Sequence, residues 1–255
     1  MKIFIRLMML FLAAALTASL VGCGPVHCND DPDDNCLRVL FVGNSLTYVN
    51  DLPTTFSELA RSGGHKVEVA MVVEGGAALS DFISSSELSD ALSSSQWDYV
   101  VLQEQSQLPS VEYWRVNEMY PAARSLVKQV RGNNAQPIFF ETWARRYGFP
   151  ENGMPNFESM QYEIDMGYQR IGNELNVPIA HVGMTWFRAL EMNPDLRLWQ
   201  EDGNHPSEMG TYLAACVFYV AFFNESPVGL TYRGSVPEGA ASQLQEAADL
   251  LLVKP

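Results

Sequence analysis

Positive charge is what this chain has least of. Lys and Arg together number 16 against 30 Asp and Glu, a formal charge of −14 over 255 residues. A surface this acidic excludes nucleic acid as a partner, because phosphate backbones demand Lys and Arg. It also disfavours tight binding to an anionic lipid surface. Long apolar runs are scarce past the N-terminus. Tyr212–Phe223 is too short to span a bilayer and reads as a buried helix. No internal repeat is apparent. Cysteine is confined to Cys23, Cys28, Cys36 and Cys216, and histidine to His27, His65, His181 and His205. What is abundant is apolar content, 47% of the chain, which suits one domain with a sizeable core.

The one long apolar run is at the start. Lys2 and Arg6 form a positive n-region, and Leu7 to Leu20 form the apolar h-region of a secretory signal. The run ends at Leu20-Val21-Gly22-Cys23, which resembles the bacterial sequence in which the cysteine is lipid-modified and becomes the new N-terminus. An ordinary signal peptide cut near Gly22 and an uncleaved anchor are the alternatives. The expected organisation is a signal over residues 1–22, a polar tether over 23–36 and a folded domain over 37–255. The expected location is the bacterial cell envelope, with membrane attachment through Cys23. Cys28 and Cys36 flank a short polar loop in an oxidising compartment, where a disulfide is expected. Cys216 sits in an apolar helix as an inert core thiol. The run Asn29 to Asn35 offers oxygen atoms to calcium. It lacks the glycine and distal glutamate of a helix-loop-helix calcium site, so a solvated linker is the better reading.

Past the tether, strand and helix signals alternate. Strands are expected at Arg38–Val42, Lys66–Val73, Tyr99–Gln103, Pro137–Glu141 and Val177–Val182. Helices are expected at Leu52–Ser62, Leu79–Leu92 (with serine-rich interruptions), Val116–Arg131, Phe157–Leu175 and Ser207–Asn224, the last with Ser207 as N-cap. Short apolar, β-branched runs between helices predict a five-stranded parallel sheet covered on both faces, a three-layer α/β/α architecture. Such sheets bind ligands beyond the carboxyl ends of their strands.

Three segments reach that edge with chemistry. Gly43-Asn44-Ser45 follows the first strand, and the Ser45 N–H would face the cleft there. Gly75-Gly76 follows the second, where a small residue lets backbone approach a ligand. Gln103-Glu104-Gln105-Ser106 closes the third, offering a primary amide to a developing negative charge. Glu141, Thr142, Trp143 and Arg145 follow the fourth; Glu141 and Trp143, with Glu104, are candidates for the substrate pocket. Of the histidines, only His205 has a carboxylate three residues earlier in a loop, Asp202, and a proline behind it. An Asp-x-x-His turn lets the carboxylate hold Nδ1–H and leaves Nε2 free to take a proton from a hydroxyl. His181, at the end of the fifth strand, reads as a satisfied core histidine.

Gly43-Asn44-Ser45-Leu46, Gly75-Gly76 and Asp202-x-x-His205-Pro206 together resemble the SGNH/GDSL hydrolase superfamily over about residues 37–225. The likeness extends to a bacterial subgroup through Gly210-Thr211-Tyr212-Leu213-Ala214-Ala215-Cys216-Val217-Phe218-Tyr219. It implies a flavodoxin-like sandwich and metal-independent, cofactor-free ester hydrolysis through an acyl-enzyme on Ser45. His205 would be the base, Asp202 its orienter, and acetyl or other short acyl groups on carbohydrate the substrate. One block departs from the superfamily. The Gly-x-Asn-Asp expected after the third strand is replaced by Gln103-Glu104-Gln105, which makes Gln105 the candidate oxyanion donor beside the N–H groups of Ser45 and Gly76, with Gln103 as runner-up. The altered block, with Trp143, Trp186 and Trp199, also fits a non-catalytic carbohydrate-binding lipoprotein on the same fold. A tethering or assembly lipoprotein is a third reading.

Overall fold

The computed structural model describes residues 26–29 and 34–252. The signal segment, Cys23 and the centre of the acidic run lie outside the described residues. Strand β1 (Cys36–Gly43) lies inside the sheet because Val39, Leu40, Phe41 and Val42 are apolar on both sides, and all four are buried. After β1 the chain makes a one-turn helix, α1 (Ser45–Tyr48), then α2 (Leu52–Ser62), and returns as β2 (Lys66–Val73). Two short helices, α3 (Leu79–Phe82) and α4 (Ser86–Ser94), lead to β3 (Tyr99–Gln103). A single turn, α5 (Glu112–Trp114), and a π-helical segment precede α6 (Tyr120–Gly132) and β4 (Gln136–Glu141). Helix α7 (Phe157–Leu175) connects to β5 (Ile179–His181), and α8 (Val182–Met192), α9 (Glu208–Phe223) and α10 (Glu238–Asp249) follow.

All five strands are parallel, in the order β2-β1-β3-β4-β5. From β1 the chain moves one way to β2, then crosses back past β1 to β3 and continues outward. Right-handed crossovers in opposite directions place their helices on opposite faces. Helices α2 and α9 therefore cover one face, and α6 and α7 the other. Neighbouring residues of β4 show both contacts: Phe140 lies 5.1 Å from the Phe218 ring of α9, and Phe139 lies 6.1 Å from the Tyr168 ring of α7. The reversal of direction leaves a crevice at the carboxyl ends of β1 and β3, the position where doubly wound sheets hold ligands.

Helix α9 is apolar all round, and every residue from Gly210 to Val220 is buried. It can be so because α10 lies on its outer side, contributing the buried Ala241, Leu244, Ala247 and Ala248. Among the described residues no helix is long and apolar enough to cross a membrane. Ser207 caps α9 by accepting from the Gly210 N–H at 3.2 Å.

Most expected elements appear within a residue or two of their expected limits. The Leu79–Leu92 helix is two pieces, α6 starts later behind its π-helical turn, and the one-turn α1 and α5 and the longer α8 and α10 are additional. Helix α8 begins on the residue after β5 with no side-chain cap, which hides its start. Helix α10 has Pro237 just ahead of its first residue and an alanine-rich face, signals that were present in the sequence. Cys28 and Cys36 form a disulfide across a separation of 8 residues, and Cys216 is a buried free thiol whose pKa burial raises.

Candidate active site

The nucleophile block is built from the sheet upward. Asn44 follows β1 in extended backbone, and its Oδ1 accepts from the Leu46 N–H at 3.1 Å, which starts α1 at Ser45. Its Nδ2 donates to Ala77 O at 2.8 Å, and so ties this turn to the glycine block. Its own N–H donates to Gln103 Oε1 at 2.8 Å, an atom that also accepts from Thr47 Oγ1 at 3.0 Å. Gln103 is wholly buried, and it lies so close to β1 that a Cβ on Gly43 would meet its Oε1 at 2.4 Å. These bonds consume the Asn44 N–H and leave the Ser45 N–H without a protein acceptor among the described residues.

The glycine block is a turn closed by the Ala77 N–H to Glu74 O at 3.2 Å, with Gly76 at φ +74°. A side chain at this third turn position would be strained, so glycine is required there.

The histidine block is a second self-bonded turn. Gly203 takes φ +67°, which curls the chain so that Asp202 Oδ1 accepts the N–H groups of Asn204 at 2.9 Å and His205 at 3.0 Å. Asp202 Oδ2 is left to accept His205 Nδ1–H at 2.5 Å. Partial burial opposes the charge on Asp202, but those two N–H groups and the imidazole outweigh it and hold the carboxyl below its ordinary range. With Nδ1 protonated, Nε2 accepts the Ser45 hydroxyl at 2.9 Å. The structure thus brings Ser45, His205 and Asp202 into one hydrogen-bonded chain, although serine and histidine are separated by 160 residues. A hydroxyl on an imidazole oriented by a carboxylate can be deprotonated as it attacks a carbonyl.

The substrate-pocket expectations for Glu104, Glu141 and Trp143 do not hold; all three turn inward. Glu104 is fully enclosed. Its Oε1 accepts from Leu79 N–H at 3.0 Å and Gln105 N–H at 2.6 Å, Oε2 has no partner, and burial pushes the carboxyl up to about 7. Glu141 is equally enclosed and accepts from His181 Nδ1 at 2.6 Å, Gln161 Nε2 at 2.8 Å and the Met184 N–H at 3.1 Å. His181 is therefore the partner of a buried carboxylate, with part of its ring exposed. Among the described residues, Glu141, Asp165 and His181 have donor atoms within 4.8 Å of one another, close enough to share a cation. Trp143 is buried, stacks on Trp186 at 4.1 Å and donates its indole N–H to Asn204 O at 2.9 Å. Trp199 meets Trp186 at 5.4 Å and donates to Ala144 O at 3.1 Å. The three tryptophans form a brace beneath the histidine turn, with Trp143 and Trp186 buried and Trp199 half-buried.

Gln105 Oε1 is occupied by the N–H groups of Gln107 at 2.7 Å and Leu108 at 3.3 Å. Its Nε2 bonds to no protein group among the described residues. Asn50 was not anticipated. It sits at φ +58°, and its Nδ2 donates to Pro206 O and Thr211 Oγ1, each at 3.0 Å, fastening the segment after α1 to the histidine turn. The sequence signal was an Asn-Asp pair just past a short helix, where Asn tolerates left-handed backbone.

No family model and no curated protein matches the chain. Several solved structures do. A protein of Slackia heliotrinireducens assigned to the SGNH hydrolases shares 29% identity over 72% of this chain and 98% of its own, with a TM-score of 0.59. A DUF4886 family protein of Bacteroides uniformis shares 20% over 85% of this chain and 94% of its own, with a TM-score of 0.70. A variant of an acetyl-xylooligosaccharide esterase from Geobacillus shares 15% over 74% and 93% respectively, with a TM-score of 0.53.

Proposed function

Because the chain belongs to the SGNH/GDSL hydrolase superfamily, we propose that it cleaves carboxylic esters through an acyl-enzyme on Ser45, with acetyl or other short acyl groups on carbohydrate as substrates. The observation that carries this reading is the continuous chain from Ser45 Oγ through His205 to Asp202 at 2.9 and 2.5 Å. The Ser45 hydroxyl attacks the ester carbonyl as its proton passes to His205 Nε2. Asp202 fixes the imidazole tautomer and stabilises the imidazolium. His205 returns the proton to the departing alcohol, and water then releases the acyl group by the same path in reverse. The oxyanion is held by the free Ser45 N–H, the Gly76 N–H and Gln105 Nε2. The saccharide preference is supported by the fold shared with an acetyl-xylooligosaccharide esterase. Nothing in the mechanism requires a metal or cofactor. The burial of Trp143 and Trp186 takes two of the three tryptophans away from a non-catalytic carbohydrate binder.

The test is kinetic. Ser45→Ala should lower kcat on p-nitrophenyl acetate by roughly 10⁴-fold or more with an unchanged Tm. Gln105→Ala should lower kcat by about 10²–10³-fold with little effect on KM, because its bond forms mainly in the transition state. Residual turnover of Ser45→Ala near the parent rate would overturn the reading.

Anchoring in the cell envelope through a lipid on Cys23 belongs to the same proposal. The Cys28–Cys36 disulfide supports export, since such bonds persist in oxidising compartments. Cys23→Ser should move the protein from the membrane fraction to the soluble one, and unchanged fractionation would contradict it.

A further inference from the structure

Hydrogen bonds close a ring through the segments that follow β1, β2 and β3. Asn44, the residue before the nucleophile, makes two of its links: its N–H is held by Gln103 at the end of β3, and its Nδ2 holds Ala77 O in the segment after Gly76. Glu104 makes the third. Its Oε1 accepts the Leu79 N–H at 3.0 Å and the Gln105 N–H at 2.6 Å, so a single oxygen sets the spacing between the glycine segment and Gln105. The other polar groups of Glu104 have partners as well. Its N–H donates to the Tyr168 hydroxyl at 3.2 Å, and its carbonyl accepts from Gln103 Nε2. Only Oε2 is left, enclosed and without a partner.

An enclosed carboxylate with one oxygen unsatisfied is costly. A proton on Oε2 removes the charge, while Oε1 keeps both of its acceptor bonds. The surroundings favour that proton. Enclosure raises the carboxyl most; the two N–H groups oppose it, and the carboxylates of Asp81 in α3 and Glu118 in the π-helical segment add to it through space, to about 7. The Tyr168 hydroxyl of α7 is itself neutral, because burial and then Glu104 raise it well above its ordinary range. The proposed chemistry also favours a neutral group here. Negative charge develops on the ester oxygen as Ser45 attacks. Ionised Glu104 would place a like charge on the same ring, in a setting that water does not screen.

We propose that Glu104 is a positioning residue for the oxyanion, and that its protonated form is the active one: the neutral carboxyl spaces the glycine segment from Gln105, and loss of its proton to solvent slows attack by Ser45. The inference rests on the hydrolase reading above. It adds to that reading a control of turnover by a proton held outside the triad.

The test uses the mature enzyme with Glu104→Gln and Glu104→Met on p-nitrophenyl acetate, between about pH 5.5 and about pH 8.5, the two sides of 7. The readout is the kcat of each variant divided by that of the parent, in which any pH dependence common to both cancels. Both variants are neutral at every pH, so each ratio should rise by about tenfold or more over this range. Glu104→Met lacks the acceptor oxygen and should turn over more slowly than Glu104→Gln throughout. Its apolar side chain suits the enclosed position, so it reports even where Glu104→Gln is poorly folded. Ratios that stay flat with pH, whether high or low, mean a purely structural role and overturn the assignment while the hydrolase reading stands. A parent enzyme inert on the ester at every pH overturns the hydrolase reading and the assignment with it.

Discussion

Glu104 shows what a strand end can conceal. Its position after β3 is at the ligand edge, yet its side chain folds under the sheet edge to accept two N–H groups, and burial raises its pKa from an ordinary 4.5 to about 7. A carboxyl whose folded-state pKa is raised gives its full contribution below about pH 4.5 and loses it as the pH rises through about 7. The loss is on the order of 3 kcal/mol for a shift of this size. Glu104→Gln keeps the site neutral at every pH. Chemical denaturation across pH 4 to 8 should therefore show the variant gaining stability on the parent as pH rises, by about that amount; parallel pH profiles would contradict this. Gln103 makes the same point. It and Gln105 share a strand end, but only Gln103 faces β1, where its amide oxygen holds the Asn44 N–H. Sequence position places a residue at an edge; which layer its side chain enters depends on contacts from elsewhere in the chain.

At the scale of elements, β1, β3 and β4 were legible because each holds a short continuous apolar run, β2 because Lys66, Val67, Glu68 and Val69 alternate ahead of one, and the histidine turn was legible because its hydrogen bonds are local, Asp202 bonding residues two and three further on. What was not legible is the support from distant elements. The indole of Trp143, just past β4, reaches the carbonyl of Asn204 at 2.9 Å, and Trp186 of α8 is stacked behind it. Tryptophans at a ligand edge invite a binding role, and only the packing of α8, itself unseen in the sequence, turns them into a brace. Trp143→Phe keeps the ring stacking and removes the indole N–H. It should lower kcat by roughly tenfold with a small fall in Tm, since one buried hydrogen bond contributes about 1 kcal/mol. Rates equal to the parent's would show that the histidine turn holds its shape without that bond.

For the whole molecule, the acidic composition, the switch of crossover direction and the placing of three loops at one sheet edge are parts of one account. The fold brings a serine after β1 to a histidine turn before α9. Layering was readable because it follows from alternating strand and helix signals. The close approach of Ser45 to His205 was an expectation until the sheet order placed both at one end. The most direct measurement of the central claim is covalent labelling of the mature protein with a fluorophosphonate, read by peptide mass spectrometry. The account predicts one adduct on Ser45, lost in Ser45→Ala and slowed by roughly 10³-fold or more in His205→Ala. A folded protein that takes no label, or takes it on another serine, would contradict it.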